Sequence, residues 1–346
     1  MNAIFSFIFP AIIICFIGYV IYRFFKGFRK EGNDSFWQVA FSKEDFVSQV
    51  FYLFALCFFG VAVYGFNRDM GDALEWQTIV LSLSLLGFAG AYFLKSFYTL
   101  PTAIIGMNVW WAGKVIDWTG EGMAIFSGLM LLAVLFYALG LAHRKEIKFK
   151  RYSLTYIFLG IIGITGGLFF LSTRAGLKAL EEMSASGFVL SSWQATTALA
   201  LFLILIAISL WYGYDKNIVL VEEVVAIIIC AVLFTILLFL PEIHIFEESY
   251  QYNFTNIGII WALFFNVLVF VEIMGLIMLG YFSKEIWMVN MGAFFLFLLV
   301  IVKYFDWFFD FFDKSIFFIS AGILLFLAGG FMEKGRRYML KEIKRT

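Results

Sequence analysis

Apolar residues fill long uninterrupted blocks in this chain, with charged or turn-forming residues standing between the blocks. About eleven blocks can be drawn, at 3–25, 46–66, 76–94, 97–116, 122–142, 152–172, 189–212, 218–240, 254–282, 286–305 and 315–332. A helix rising about 1.5 Å per residue crosses a hydrocarbon core of about 30 Å in roughly 20 residues. The blocks match that length. Transmembrane strands would be about half as long and would alternate apolar with polar residues, which these blocks do not. The pattern therefore predicts an all-α fold, a polytopic transmembrane helix bundle of about eleven spans forming a single integral membrane domain over residues 1–346. The fourth block fits least well, because Pro101 and Lys114 sit near its ends.

Composition points the same way. The chain is 63% hydrophobic and only 14% charged, against roughly 25% charged residues in soluble domains. Short cytoplasmic loops retain Lys and Arg, so their distribution orients the bundle. With the amino terminus outside and the carboxy terminus cytoplasmic, 19 of them fall inside and 6 outside. The inside clusters are Arg23 to Lys30, Arg144 to Arg151 and Lys334 to Arg345. One span more or fewer would invert every later loop and scramble this bias. The first block carries no positive charge ahead of it and exceeds the usual apolar stretch of a signal peptide, so it is expected to remain as an anchor. The partner common to all of this is the lipid bilayer, with anionic headgroups favouring the basic side.

Charges inside the blocks are the candidate chemistry. Glu272 lies about ten residues, or roughly 15 Å, from the inner end of the ninth block, near the midplane. A carboxyl there costs on the order of 3 kcal/mol, so it should face protein or a water-filled cavity and could bind a proton or cation. The alternative is a structural Glu packed beside Gly275. Glu222 and Glu223 lie about one turn into the eighth block, where they can reach cytoplasmic water or meet Lys216. Asn266 sits six residues before Glu272, about 120° around the helix, so the two do not form one stripe. Asn108 and Asn290 read as helix–helix hydrogen-bonding groups.

Asp306, Asp310 and Asp313 recur at i, i+4 and i+7 in a segment otherwise crowded with aromatic rings. That pattern predicts an interfacial helix at the outer boundary, its carboxylates facing water and its rings among headgroups. Asp306, Asp310 and Asp313 would then form an outer rim, with Trp110 in the same aromatic belt. Gly163 and Gly167 make a small-xxx-small pair for close helix approach. Cys15, Cys57 and Cys230 all fall within apolar blocks and read as buried hydrophobes outside any disulfide framework. His143 and His244 fall on opposite sides, which leaves no metal site. No zinc-hydrolase, nucleophile-elbow or P-loop pattern is present, so no catalytic residue and no cofactor is assigned. The basic run Arg144 to Arg151 is accounted for by orientation and implies no nucleic acid.

The last quarter carries Asn290-Met-Gly, Tyr304-Phe-Asp306, Asp313-Lys-Ser315, Phe317-Phe318, Ala321-Gly322 and Arg336-Arg337. Over about sixty residues this resembles an uncharacterised family of predicted bacterial multi-span inner-membrane proteins. Upstream, the similarity is limited to span density and the Leu100-Pro101 step. The resemblance implies a multi-pass protein of the bacterial cytoplasmic membrane and transfers neither substrate nor catalytic residues. Three function classes stay open. The chain can be a transporter or permease for a small solute or ion through Glu272, a noncatalytic scaffold or assembly factor holding a membrane-protein partner, or an intramembrane enzyme on lipid-linked substrates.

Overall fold

The computed structural model describes residues 46–144, 150–184, 192–216, 218–247, 250–308 and 314–345. The first apolar block, Cys15, Asp310 and Asp313 lie outside them. The chain divides after Val47, and the account concerns the larger unit that begins at Ser48. Its elements are α1 (Phe46–Asp69), α2 (Trp76–Phe93), α3 (Thr99–Thr119), α4 (Gly122–Ala142), α5 (Lys150–Leu171), α6 (Arg174–Ser184), α7 (Trp193–Asp215) and α8 (Val221–Leu237). A short hairpin of β1 (Phe246–Glu247) and β2 (Tyr250–Phe254) follows, then α9 (Asn256–Phe282), α10 (Ile286–Phe308) and α11 (Lys314–Arg345). The fold is helical, and among the described residues eight helices are long and apolar enough to cross a membrane: α1, α2, α4, α5, α7, α9, α10 and α11. Of the other predicted spans, α8 is a 17-residue helix and α3 carries Lys114 and Asp117 in its last turns.

At the centre stands α4. It is apolar all round and therefore buried all round, as expected of a helix with no polar face: 78% of its most apolar stretch is covered, against 6% for α11. It packs on α3, α5, α7 and α8. Lipid chains are as apolar as leucine, so close packing and hydrogen bonds rather than the hydrophobic effect join such helices. Small residues do this along α5. A side chain at Gly160 would fall 2.7 Å from the backbone nitrogen of Tyr137, one at Gly163 2.6 Å from Ala133 Cβ, and one at Gly167 2.0 Å from the Met130 sulfur. Both members of the Gly163/Gly167 pair thus face α4. Large exposed apolar residues on α1, α9 and α11, Phe58, Ile260 and Phe326 among them, form the outward surface. Cys57 is exposed there and Cys230 is half-buried, so the expectation that the cysteines are buried fails for Cys57. Its place on an outward helix face explains the difference.

Two features break the pattern of long helices, both where the sequence pattern predicts only loop. The 11-residue α6 buries Gly176, Leu177, Leu180 and Ser184 along one stripe. Thr173 begins it, its hydroxyl accepting from the Gly176 amide at 3.0 Å in the manner of an N-cap. From the other end, the Glu181 carboxylate accepts the amide of Ile245 at 2.9 Å and the Ser184 hydroxyl that of Ile243 at 3.2 Å. These bonds fasten α6 to the segment leading into β1. In the hairpin, Phe246 pairs with Phe254 and Glu247 with Tyr250.

Candidate functional site

Glu272 stands where α9 packs on α5. The side chain leaves α9 and its Oε1 accepts the hydroxyl of Thr165, on α5, at 2.7 Å. Its Oε2 is buried and has no hydrogen-bond partner among the described residues. Tyr137 of α4 and Cys230 of α8 both lie within electrostatic reach of the same carboxyl. Gly275, the expected packing neighbour, faces open space instead, with nothing within 4 Å of a side chain placed there. A carboxyl with one oxygen oriented by a neutral hydroxyl and the other bare can take up a proton or a cation without losing an existing bond. Buried polar atoms are otherwise almost always paired.

Glu223 differs in every respect. It is 1% exposed and its Oε1 meets the Arg144 guanidinium at 3.1 Å. Its Oε2 accepts the amide of Leu220 at 3.0 Å, closing the first turn of α8. An acidic residue in the first turn also meets the positive end of the helix dipole. Arg144, 79 residues earlier, takes the place expected of Lys216, because the end of α4 packs against the start of α8. Lys216 lies 3.9 Å from its neighbour Asp215. Glu222 is exposed. Adjacent in sequence, the two glutamates therefore differ in burial and bonding.

Toward the opposite end of the helices, Asn266 donates to its own helix at the Ala262 carbonyl, 2.6 Å away. It also approaches the Ser172 carbonyl at 3.5 Å. Both Glu272 and Asn266 thus reach α5 and its end, although they do not share one stripe on α9. Thr165 and Ser172 stand seven residues apart, two turns along one face of α5, and this alignment brings the two α9 residues to the same neighbour. Ser172 also accepts a hydrogen bond from the Lys303 ammonium. Asp306 lies 3.8 Å from Lys303, both side chains only 15% exposed. Its carboxylate meets the Arg174 amide at 3.3 and 3.4 Å. Asp306 is therefore not a water-facing rim residue. The unbonded first amides of α6 draw it inward as a second cap. The Arg174 guanidinium lies 5.9 Å from the centre of the Phe254 ring.

Trp110 is half-buried and belongs to a cluster, its ring 6.3 Å from Trp111 and 6.1 Å from Trp118. Trp111 is fully buried and donates to the Ile125 carbonyl at 3.2 Å. Trp111 thus joins α3 to α4 and, through Phe202, to α7, whereas the ring neighbours of Trp110 are on α3 itself. Among the described residues no three His, Cys, Asp or Glu side chains come together as a metal site. At the basic end, Asn290 accepts from the Arg336 guanidinium at 2.8 Å, linking α10 to α11.

Sequence reasoning leaves out Thr165, Tyr137 and Arg144 as members of the Glu272 and Glu223 surroundings. Only Arg144 carries a signal, as a cation just beyond the carboxy-terminal end of α4. Compared with known proteins, the chain matches no family model, no curated protein and no solved structure.

Proposed function

We propose that the chain is a transporter or permease whose intramembrane proton- or cation-binding group is Glu272. The observation that carries this reading is the asymmetry of its carboxyl: Oε1 held by Thr165 at 2.7 Å, Oε2 buried without a partner among the described residues. A carboxyl kept for structure alone would be expected to have both oxygens satisfied, as Glu223 does. The positive-inside rule supports an amino terminus outside, a cytoplasmic basic end and about eleven spans. Lys95, Arg144, Lys150, Lys216 and Lys284 fall at or between helix ends, which supports that orientation. The resemblance of the last quarter supports a bacterial cytoplasmic membrane.

Infrared difference spectroscopy on the protein in lipid nanodiscs tests this. The expected result is a buried carboxyl band that responds to pH or to added sodium or potassium and vanishes in Glu272→Gln. A band silent to both would overturn the assignment and leave the noncatalytic scaffold as the better reading.

A further inference from the structure

On the basic side of Glu272 a cavity of about 70 Å³ has a mixed wall, in which Tyr137, Arg144, Lys150, Ser153, Glu223 and Glu285 supply polar groups among apolar neighbours such as Leu141 and Ile157. Each water needs roughly 10–15 Å³ of such space and two to four polar partners. The cavity therefore has room and bonding capacity for a few water molecules. Its lining includes both the exposed Lys150 and the buried Glu223, so it extends from the surface inward. The Arg144–Glu223 pair, at 3.1 Å, bounds it between α4 and α8.

The same two helices lead from that pair to Glu272. Tyr137 stands on α4 five residues before that helix ends, Arg144 follows just beyond the end, and seven residues after Glu223 on α8 is Cys230. Seven residues are two turns, about 10 Å of helix, and return to the same face. Tyr137 lines the cavity and packs closely on Gly160 of α5, the helix whose Thr165 bonds Glu272. The Oε2 of Glu272 is a buried polar atom still lacking a bond among the described residues.

We propose that this cavity is an aqueous vestibule through which Glu272 exchanges with the basic face of the protein, with Tyr137 at its inner end. The inference rests on reading Glu272 as an exchanging carboxyl. It adds the side from which exchange occurs and the residues that border the route.

Cysteine accessibility tests it. In full-length protein with Cys15, Cys57 and Cys230 replaced by alanine, Ser153→Cys and Leu154→Cys are exposed to a membrane-impermeant methanethiosulfonate ammonium reagent in vesicles of known orientation. Leu132→Cys, in the dry centre of α4, is the control. Either vestibule position is expected to react at least tenfold faster than Leu132→Cys, and only from the basic face. Attachment of the reagent should slow the response of the Glu272 carboxyl band to a pH jump by at least tenfold. Reaction at both positions no faster than the control, or from the opposite face, would overturn the vestibule. An unchanged Glu272 response after complete labelling would overturn it as well. If the band is silent in unlabelled protein the transporter reading fails instead, and the labelling rates alone still decide whether the cavity is aqueous.

Discussion

Two buried carboxylates within this molecule have been treated differently. Glu223 has a cation on one oxygen and a backbone amide on the other, whereas Glu272 has a single neutral hydroxyl on one oxygen and nothing on the other among the described residues. Burying a charge is costly unless it is paired and hydrogen-bonded. Glu223 meets that requirement and ties α8 to α4. Glu272 does not, and an incompletely satisfied buried group is where proton or cation chemistry has room to occur. Burial alone does not separate Glu223 from Glu272; the state of the second oxygen does.

The largest effect is expected at the satisfied site. Glu223→Ala strands Arg144 and uncaps α8, and should destabilise the protein by about 3 kcal/mol, read from unfolding in detergent. Glu223→Gln, which removes the charge but keeps the cap, should cost less; equal losses would mean that the cap contributes nothing, and no loss in Glu223→Gln that the ion pair contributes nothing. Next comes Gly160→Ala, which pushes α5 away from Tyr137 and should cost about 2 kcal/mol. Gly166→Ala on the same helix, with nothing within 4 Å, should be neutral, and a similar loss at both would remove the close-approach argument.

Thr165→Val takes away the hydroxyl that orients Glu272. A loss of about 1 kcal/mol in the same unfolding measurement is expected, together with a shifted Glu272 carboxyl band. An unshifted band would show that the two side chains do not interact. Asp306→Asn weakens the second cap of α6 and should cost less than about 1 kcal/mol, since the side chain keeps an acceptor. The smallest effect concerns a third carboxylate, Glu121, in the turn before α4. Burial pushes its carboxyl above the usual range. The folded state then holds that proton more tightly than the unfolded state, so stability present at low pH is lost as pH rises through the raised folded value. Glu121→Gln should flatten that decline in unfolding measured across pH.

The helices and their apolar faces were legible because each reports on its own sequence. The all-round apolar run of α4 implies burial, and a Glu in the middle of α9 is conspicuous. The partner of Glu272 was not legible. Within α5, Thr155 bonds back to the Arg151 carbonyl at 3.0 Å, while Thr165 reaches across to α9, and nothing local distinguishes the two threonines. The same holds for Glu223, for which Lys216 is nearer in sequence and Arg144 is the partner. Asp306 fits a water-facing periodicity, yet the free amide at the start of α6 draws it inward. Too short to span a bilayer, α6 carries only its Leu177/Leu180 stripe as a signal.

By itself, the sequence determined the solvent of this protein: long apolar blocks can satisfy their backbone in lipid only as helices, and that demand is met within each segment. It also marked the midspan carboxyl, because an uncommon charge is visible wherever it stands. Only the tertiary structure decided which carboxyl is satisfied and which is left with a bare oxygen. That outcome depends on contacts between helices far apart in the chain, such as Arg144 with Glu223 and Thr165 with Glu272. The packing of α4, α5, α8 and α9 sets those contacts, and no single segment encodes them.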